Sequence, residues 1–564
     1  MLPPFATETA VARPTDARNR MKPEHGRDLR TDVLNVWGAG QLLAFSALDG
    51  ATDYADGLVL KTAGTGCAFD VMLPGKAAVS LSDEPPRACR LGGDFFELTL
   101  SQGRARGAFV DAYHVLLEGS CTFQPDSPTI MTVMRDGRTL LGVAKHFDAT
   151  LLDRDLDAEI ALRKRWLTGL ALPAGMPELR AKTIYKALSV MKTQVCSPEG
   201  RLRHRWTTPD RWPHRDLWLW DSAFHALGWR HLDVTLAREA VEAVFDCQGP
   251  DGMVSHQGAP TWVSPTTQPP VLALAAELID EVSPDDAWLA RMYPLLSSYV
   301  RWDLRERANA PSGLLRWFIG NDPRCRSGES GMDNSPRFDA AQQLDTPDFS
   351  TFAANECQIL ARFARRLGKP ESEARDWLAH HQRLCEKINE RLWNDAQGIY
   401  MDCEASTGRQ TGVLASAGFL PLLCGAPSAE QTARLAAHLD RPDTFGTAFP
   451  IASVPPACRD HYSPDMWRGP TWVNINWLVA CGFDRYGLSD AADRLRQGTL
   501  AAIERWYAAC GSLYEYYDTL GETPPPKLLR KGRCEGRYPF QDIHDYGWTS
   551  TLYVDLVYSL HARG

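Results

Sequence analysis

No stretch of the 564 residues holds 18 consecutive apolar side chains, and Met1 to Arg30 contains no apolar run long enough for the core of a secretory leader. No membrane association is expected on that ground, and the cytoplasm is the expected compartment. None of the 14 cysteines forms a Cys-x-x-Cys pair or stands at zinc-site spacing from a histidine, so they are read as small buried thiols. His204, His214, His225 and His231 are spread through a Trp/Arg-rich stretch without a metal-type repeat and are assigned surface or hydrogen-bonding roles. There is no Asp-x-Asp-x-Asn-Gly loop for calcium, and Gly92-Gly93 does not open a helix after a strand as a nucleotide-binding loop does. No metal and no cofactor is expected. A net charge of -9 is mild for this length and gives no positive surface for a phosphate backbone, so nucleic acid is an unexpected partner. No repeat of 34 or 40 residues is visible either, which weighs against a helical superhelix.

What the chain does hold is aromatic: 18 Trp and 16 Tyr, many beside Asp, Arg or Asn, a mixture that can stack on sugar faces and equally can pack a core. The length exceeds what one hydrophobic core usually supports, so more than one domain is expected. Residues 1–30 read as a loose tail. Over 31–153, short β-prone runs such as Phe69–Leu73, Phe95–Leu100 and Ile130–Met134 alternate with turn residues, about seven in all, and predict an antiparallel β-sandwich. Residues 154–176 form a linker region with a helix over Arg163–Leu170. From 177 to 564 apolar residues recur at three- and four-residue spacing, predicting helices near 177–193, 220–230, 233–247, 269–281, 285–304, 350–367, 371–393, 411–423, 429–438, 471–486, 489–509 and 547–561, with no strands between them. The expected fold is therefore mainly α: an (α/α)6 toroid of helical hairpins, preceded by the sandwich.

A ring of that kind turns the loops entering its inner helices toward one central pocket, and polar-aromatic clusters stand at several of those places. Trp218-Leu219-Trp220-Asp221 opens one helix, Gln268 precedes another, Met466-Trp467-Arg468-Gly469-Pro470-Thr471-Trp472 runs into a third, and Tyr546-Gly547-Trp548 opens the last. Between two helices lies Gly328-Glu329-Ser330-Gly331-Met332-Asp333-Asn334-Ser335-Pro336-Arg337-Phe338-Asp339, which has too few large apolar residues to bury a helix face. Farther on, Tyr514-Glu515-Tyr516-Tyr517-Asp518 sets one glutamate among three tyrosines. Any one cluster is equally read as a capped helix start or a solvated turn. Two carboxyl groups brought together from distant loops are the minimum equipment for glycosidic hydrolysis, one protonating the leaving oxygen and the other acting on water or on the sugar.

Three of these segments, the loop from Gly328 to Phe338, Trp467-Arg468-Gly469-Pro470 with Trp472, Asn474, Asn476 and Trp477, and Tyr514–Asp518, occur in the order found in glycoside hydrolase family 63. The chain resembles that family from about Met176 to Leu560. The family includes processing α-glucosidases and bacterial enzymes acting on glucosylglycerate and mannosylglycerate, and is related to the trehalases of family 37. The resemblance implies an (α/α)6 catalytic domain, inversion at an α-glycosidic bond, Asp333 as general acid and Glu515 as general base. It also places the Trp220-Asp221 pair where such enzymes hold the sugar being cleaved. Gln268, Arg337, Trp467, Arg468, Trp472, Tyr514 and Trp548 are the further candidates for contact with a small saccharide or glycoside. Helical spacing favours Asn476, which shares a face with Trp472, over Asn474. An acid must keep its proton, and Glu329 and Asp339 are the carboxylates near Asp333 in sequence that could help it do so. Two segments depart from the family: Asn321–Ser327, where Arg324 and Arg326 are candidate contacts to an acidic leaving group, and the Pro-rich, then basic, stretch from Thr523 to Arg537. A phosphorylase or lyase on the same fold, or a non-catalytic sugar-binding protein, are the alternatives.

Overall fold

The computed structural model describes Trp37 and residues 40–63, 66–340, 343–532, 540–541 and 543–563. The expected loose tail, 1–30, lies outside the described residues, as does the end of the basic stretch at 533–537.

The first part of the chain builds two antiparallel sheets. One holds β1 (Leu42–Ala44), β2 (Val59–Thr62), β3 (Cys67–Leu73), β4 (Ala77–Ser82) and β9 (Thr122–Pro125), side by side in that order. The other runs β10 (Ile130–Arg135), β11 (Arg138–Val143), β8 (His114–Glu118), β7 (Arg104–Phe109), β6 (Phe95–Thr99) and β5 (Ala88–Leu91). Along β4 the side chains alternate, with Ala77, Val79 and Leu81 buried, as a sheet with one covered face requires. Phe69 of the first sheet meets Phe96 of the second, with ring centroids 6.2 Å apart. The β10–β11 hairpin turns on Asp136 and Gly137, at φ 54° and 75°, the two-residue turn whose twist suits a hairpin. About seven strands were expected and eleven form among the described residues. One that pattern misses is β7, because Arg104, Arg106 and Gly107 break the apolar run; yet a Cβ at Gly107 would stand 2.6 Å from the Phe96 ring, so the glycine is what lets that ring lie in the core.

Helix α1 (Leu156–Gly169) leads to α2 (Glu178–Thr193), α3 (Leu219–Trp229), α4 (Val234–Phe245), α5 (Leu272–Val282), α6 (Asp286–Glu306), α7 (Pro347–Arg366), α8 (Glu371–Leu392), α9 (Pro421–Cys424), α10 (Ala429–Ala437), α11 (Val473–Arg485), α12 (Ser489–Cys510) and α13 (Gly547–Arg563). Asp233 and Asp285 cap α4 and α6 through the amides of Leu236 and Trp288, at 3.0 and 2.9 Å. Packing runs from α3 to α5, α7, α9, α11 and α13, and α13 returns to α3, so these helices close a ring. Around them, α4 packs on α3 and α5, α6 on α5 and α7, α8 on α7, and α12 on α11, while α2 packs on α13. The helical part thus has the layout of an α/α toroid. Every residue of α3 is buried, whereas the outer α8 buries only Ala374, Trp377, Leu384, Ile388 and Leu392. Close approach of α3 and α13 depends on Gly228, where a Cβ would lie 2.6 Å from the Thr551 carbonyl oxygen.

Two expectations need correction. Short strands do occur between the helices, for example Leu217–Trp218 paired with Gln257–Ala259, and strands of two or three residues leave no periodicity to read. The helix expected over 411–423 shrinks to a 3-10 turn, Ser416–Phe419, followed by α9, because Pro421 begins a new helix and Gly418 sits where a Cβ would be 2.4 Å from the Tyr400 carbonyl oxygen.

Helix α2 ties the sheets to the ring through buried cations. Lys192, wholly buried, holds Asp49 at 2.8 Å and Asp94 at 2.6 Å, and Lys186 holds Asp545 at 2.6 Å while donating to Gln41. Removing one partner of such a pair would strand a buried charge, so these contacts fix the docking geometry whatever their net energy. The backbone N–H of Leu42 in β1 also donates to Asp545, 2.9 Å away, one residue before the aromatic entry to α13.

Candidate active site

The entries to α3, α5, α11 and α13, with loops that follow α6 and α12, surround a cavity of about 110 Å³, room for several waters. Trp220 and Asp221 reach it from the first turn of α3, Gln268 from the approach to α5, and Asp333 from the loop between α6 and α7. Trp467 and Trp472 come from the entry to α11, Glu515 from the loop after α12, and Trp548 from the first turn of α13. Pattern reasoning had gathered these eight from across the sequence, and the fold brings them to one cavity.

Aromatic rings make one wall. Trp467 and Trp472 stack with centroids 3.7 Å apart and planes 4° off parallel, and Trp548 stands edge-on to Trp220 at 5.4 Å. The Trp472 indole N–H donates to the Met466 carbonyl oxygen, which fixes the stack. Gly331 lies on Trp220, with φ 69° and a Cβ position only 2.3 Å from the ring, so only glycine fits this point of the acidic loop. Gln268 accepts the Trp220 backbone N–H at 3.2 Å and so fixes the start of α3. Tyr546, also on the wall, donates to Asp221 at 3.3 Å. Burial, reinforced by Glu515, pushes the Asp221 carboxyl well above the usual carboxylate range.

The acid loop is braced from outside the cavity. Arg468 donates to Asp339 at 3.0 and 2.6 Å and to the Asn334 carbonyl oxygen at 3.0 Å, while the Trp467 N–H donates to the Asn334 side chain. Arg326 binds the Asp333 carbonyl oxygen through its own backbone N–H. Glu329 pairs with Arg307 and accepts the Phe318 N–H. Glu329 and Asp339 are therefore neutralised by arginines of their own, and the neighbour that Asp333 has instead is a cation: Lys531 Nζ lies 2.9 Å from its Oδ2. Burial alone would push the Asp333 carboxyl up; the Lys531 ammonium, with Arg530 behind it, overrides burial and leaves it below the ordinary value.

The opposite carboxylate has a different partner. Arg530, 6% exposed, lies 3.2 and 3.3 Å from the two Glu515 oxygens, and Glu515 Oε2 accepts no aligned hydrogen bond among the described residues. Burial raises Glu515, and Arg530 and His214 only partly offset it. His214 holds Asp210 through Nδ1 at 2.9 Å, which leaves Nε2 facing Arg530 at 3.5 Å.

Several candidates are engaged elsewhere and do not line the cavity. Arg337 is fully buried, bidentate to both Asp348 and Asp402 at 2.6 to 3.1 Å. Asn476 accepts the Ile451 N–H and donates to Thr499, tying α11 to α12. Tyr514 is buried against Tyr517 and His544, and Arg468 serves the brace just described. Arg324 is half-exposed and pairs with Asp322 at 3.0 Å. The cations that do reach the cavity, Arg530 and Lys531, come from the basic stretch after Thr523, and His214 joins them. Their only signal in the sequence was that the stretch departs from the family pattern. His225 is buried beside Thr207, and His204 and His231 pair with Asp246 and Asp555.

Residues 213–549 match the sequence profile of the mannosylglycerate hydrolase MGH1-like glycoside hydrolase domain. The chain belongs to that family. As a member of the MGH1-like glycoside hydrolases, and through them of family 63, it is a glycoside hydrolase. It is 28% identical to the mannosylglycerate hydrolase of Thermus thermophilus over 401 residues, which cover 56% of this chain and 92% of the relative. The glucosylglycerate hydrolase of Mycolicibacterium hassiacum is 24% identical over 56% of this chain and 89% of its own length. A crystal structure of the Thermus thermophilus enzyme in complex with Tris and D-glycerate superposes with a TM-score of 0.55 at 25% identity, covering 66% of this chain and 99% of that one.

Proposed function

We propose that this chain is an inverting, exo-acting α-glycosidase that hydrolyses an α-glucoside or α-mannoside of a small acidic aglycone such as glycerate. The observation that carries the reading is that Asp333 and Glu515 line one aromatic-walled cavity of about 110 Å³. Asp333 gives its proton to the glycosidic oxygen as the C1–O bond breaks, and Glu515 takes a proton from the water that bonds to C1. Trp220, Trp467, Trp472 and Trp548 wall in the sugar, and Asp221 with Gln268 holds its hydroxyls. On this reading the ring from α3 to α13 and its outer partners are the six hairpins of an (α/α)6 toroid. The relatives that act on mannosylglycerate and glucosylglycerate, and the two cations at the cavity, support an acidic aglycone.

The test is hydrolysis of α-mannosyl- and α-glucosylglycerate, with neutral α-glycosides as controls, in the presence and absence of phosphate. NMR should show the β-anomer first. An α-anomer first would overturn inversion, and dependence on phosphate would make the enzyme a phosphorylase. The cation beside Asp333 and the raised Glu515 favour a second reading with the two roles exchanged. An α-glycosyl fluoride needs no acid to release its leaving group, so the variant of the two that still hydrolyses it, Asp333→Asn or Glu515→Gln, identifies the acid.

A further inference from the structure

Lys531 sits at the junction of two facts that the reaction scheme leaves unconnected. A group that donates a proton has to be protonated when the bond breaks, yet Asp333 is ion-paired with Lys531 Nζ at 2.9 Å. Lys531 is also held in an unusual way. Its φ is 57°, a left-handed conformation that few residues other than glycine adopt, and its backbone N–H and that of Gly532 are both gripped by Asp465, at 2.6 and 3.1 Å. The strained backbone fixes where the side chain starts, and four rotatable bonds leave its ammonium free to swing. Arg530 differs: one of its nitrogens donates to Glu515 at 3.3 Å, a second lies 3.2 Å from the other Glu515 oxygen, and the third touches Met466.

The leaving oxygen must lie within hydrogen-bond reach of Asp333, so Lys531 Nζ is about two hydrogen-bond lengths from it. An anion attached to the very carbon that bears that oxygen, as in a 2-hydroxy acid, spans this gap. We propose that Lys531 is a substrate-operated switch on the catalytic acid: the carboxylate of a 2-hydroxy-acid aglycone draws the ammonium off Asp333, and Asp333 then takes up from solvent the proton it delivers. The inference rests on the proposed hydrolysis with Asp333 as acid. During cleavage that proton passes to the glycosidic oxygen while the C1–O bonding pair stays on oxygen. The water proton goes to Glu515, and the hydroxy acid leaves with its carboxylate still charged. Lys531 then returns to the ionised Asp333.

Among the described residues, the other groups whose charge reaches Asp333 are held in place. Arg530 and Glu515 are tied to each other, and His256 is tied to Ser264 and Thr266. The thiol of Cys325, pushed up to about 12 by burial, stays protonated. Lys531 is the partner that a ligand can exchange. A neutral aglycone leaves it on Asp333, so discrimination falls on kcat and not only on KM.

The experiment compares kcat for the α-glycoside of glycerate with that of glycerol, its neutral counterpart, in wild type and in Lys531→Met. The acidic substrate should lead by on the order of 10²-fold in wild type, the lower end of what general acid catalysis contributes. In Lys531→Met the ratio should fall to within about threefold, with the neutral glycoside turned over faster than by wild type. A second measurement needs no variant. Calorimetric titration of wild type with D-glycerate, in two buffers of different ionisation enthalpy, should show about one proton taken up per ligand bound near neutral pH, with glycerol showing none. An unchanged kcat ratio in Lys531→Met, or glycerate binding without proton uptake, would overturn the switch while leaving hydrolysis intact. Absence of turnover on every α-glycoside would instead overturn the parent reading.

Discussion

The wall and the charged rim of the cavity are built by different rules. Trp220, Trp467, Trp472 and Trp548 hold one another ring to ring and are all buried, so the wall is at once site and core. Around the rim, Asp333 and Lys531 are 24% and 22% exposed and pair with each other across the cavity. A wall of this kind cannot be altered without loosening the ring, whereas the rim can be rewritten without disturbing the fold. Chemistry and selectivity are therefore expected to change at the rim, and stability at the wall.

The largest separation should come from Asp333→Asn and Glu515→Gln, near-isosteric changes at the rim. Each is expected to lower kcat by about 10²–10⁴-fold, Asp333→Asn with no loss in thermal stability and Glu515→Gln with some, because the buried Arg530 loses its charged partner, read from steady-state kinetics and melting curves on the same samples. Trp467→Ala, in the wall, is expected to cost about 3–5 kcal/mol of unfolding free energy along with activity, because it removes one member of a buried stack. If Trp467→Ala melts like wild type, the distinction between wall and rim fails. Arg337→Met belongs with the wall: it strands Asp348 and Asp402 in the interior, for a loss of about 3–5 kcal/mol by denaturant titration.

A smaller effect is expected one helical turn beyond Asp221, at His225, which burial holds down to about 3. Its folded value is depressed, so the unfolded chain binds its proton first. Stability is complete above the ordinary histidine value and declines as pH falls from about 6.5 toward 3. His225→Gln should flatten that part of the stability-pH curve. The smallest effect is expected for Arg324→Ala, outside the rim, with stability within about 0.5 kcal/mol of wild type and KM unchanged.

The same division decides how much could be read in advance. Wall residues travel in dense aromatic motifs at helix entries, and the long helices behind them keep their periodicity, so both are legible without coordinates. The rim is not. Lys531 and Arg530 sit in a Pro-rich stretch with no period, and nothing local indicates that Asp465 will bend this backbone toward Asp333. Arg324 and Arg326 looked better placed because they are close to Asp333 in sequence. The loop turns back on itself through the Arg326 amide and points Arg324 to Asp322 instead. Asn476 shows the converse: helical spacing places it on the face of Trp472, but Trp472 stands just before the helix in extended backbone, and the helix presents Asn476 to Ile451 and Thr499.

Closure of the ring also has a consequence in time. Helix α13 seals the circle against α3 and α2, and Trp548 and Tyr546 enter the cavity with it. On a ribosome adding roughly 5–20 residues per second, α2 and α3 emerge well before the helix they must embrace. Until then the faces they turn toward α13 have no native neighbour, and no partial chain ending before α13 holds a complete cavity. Nascent chains of this protein should therefore need shielding for the length of that wait, and enzyme activity should appear only after the last ring helix has left the tunnel.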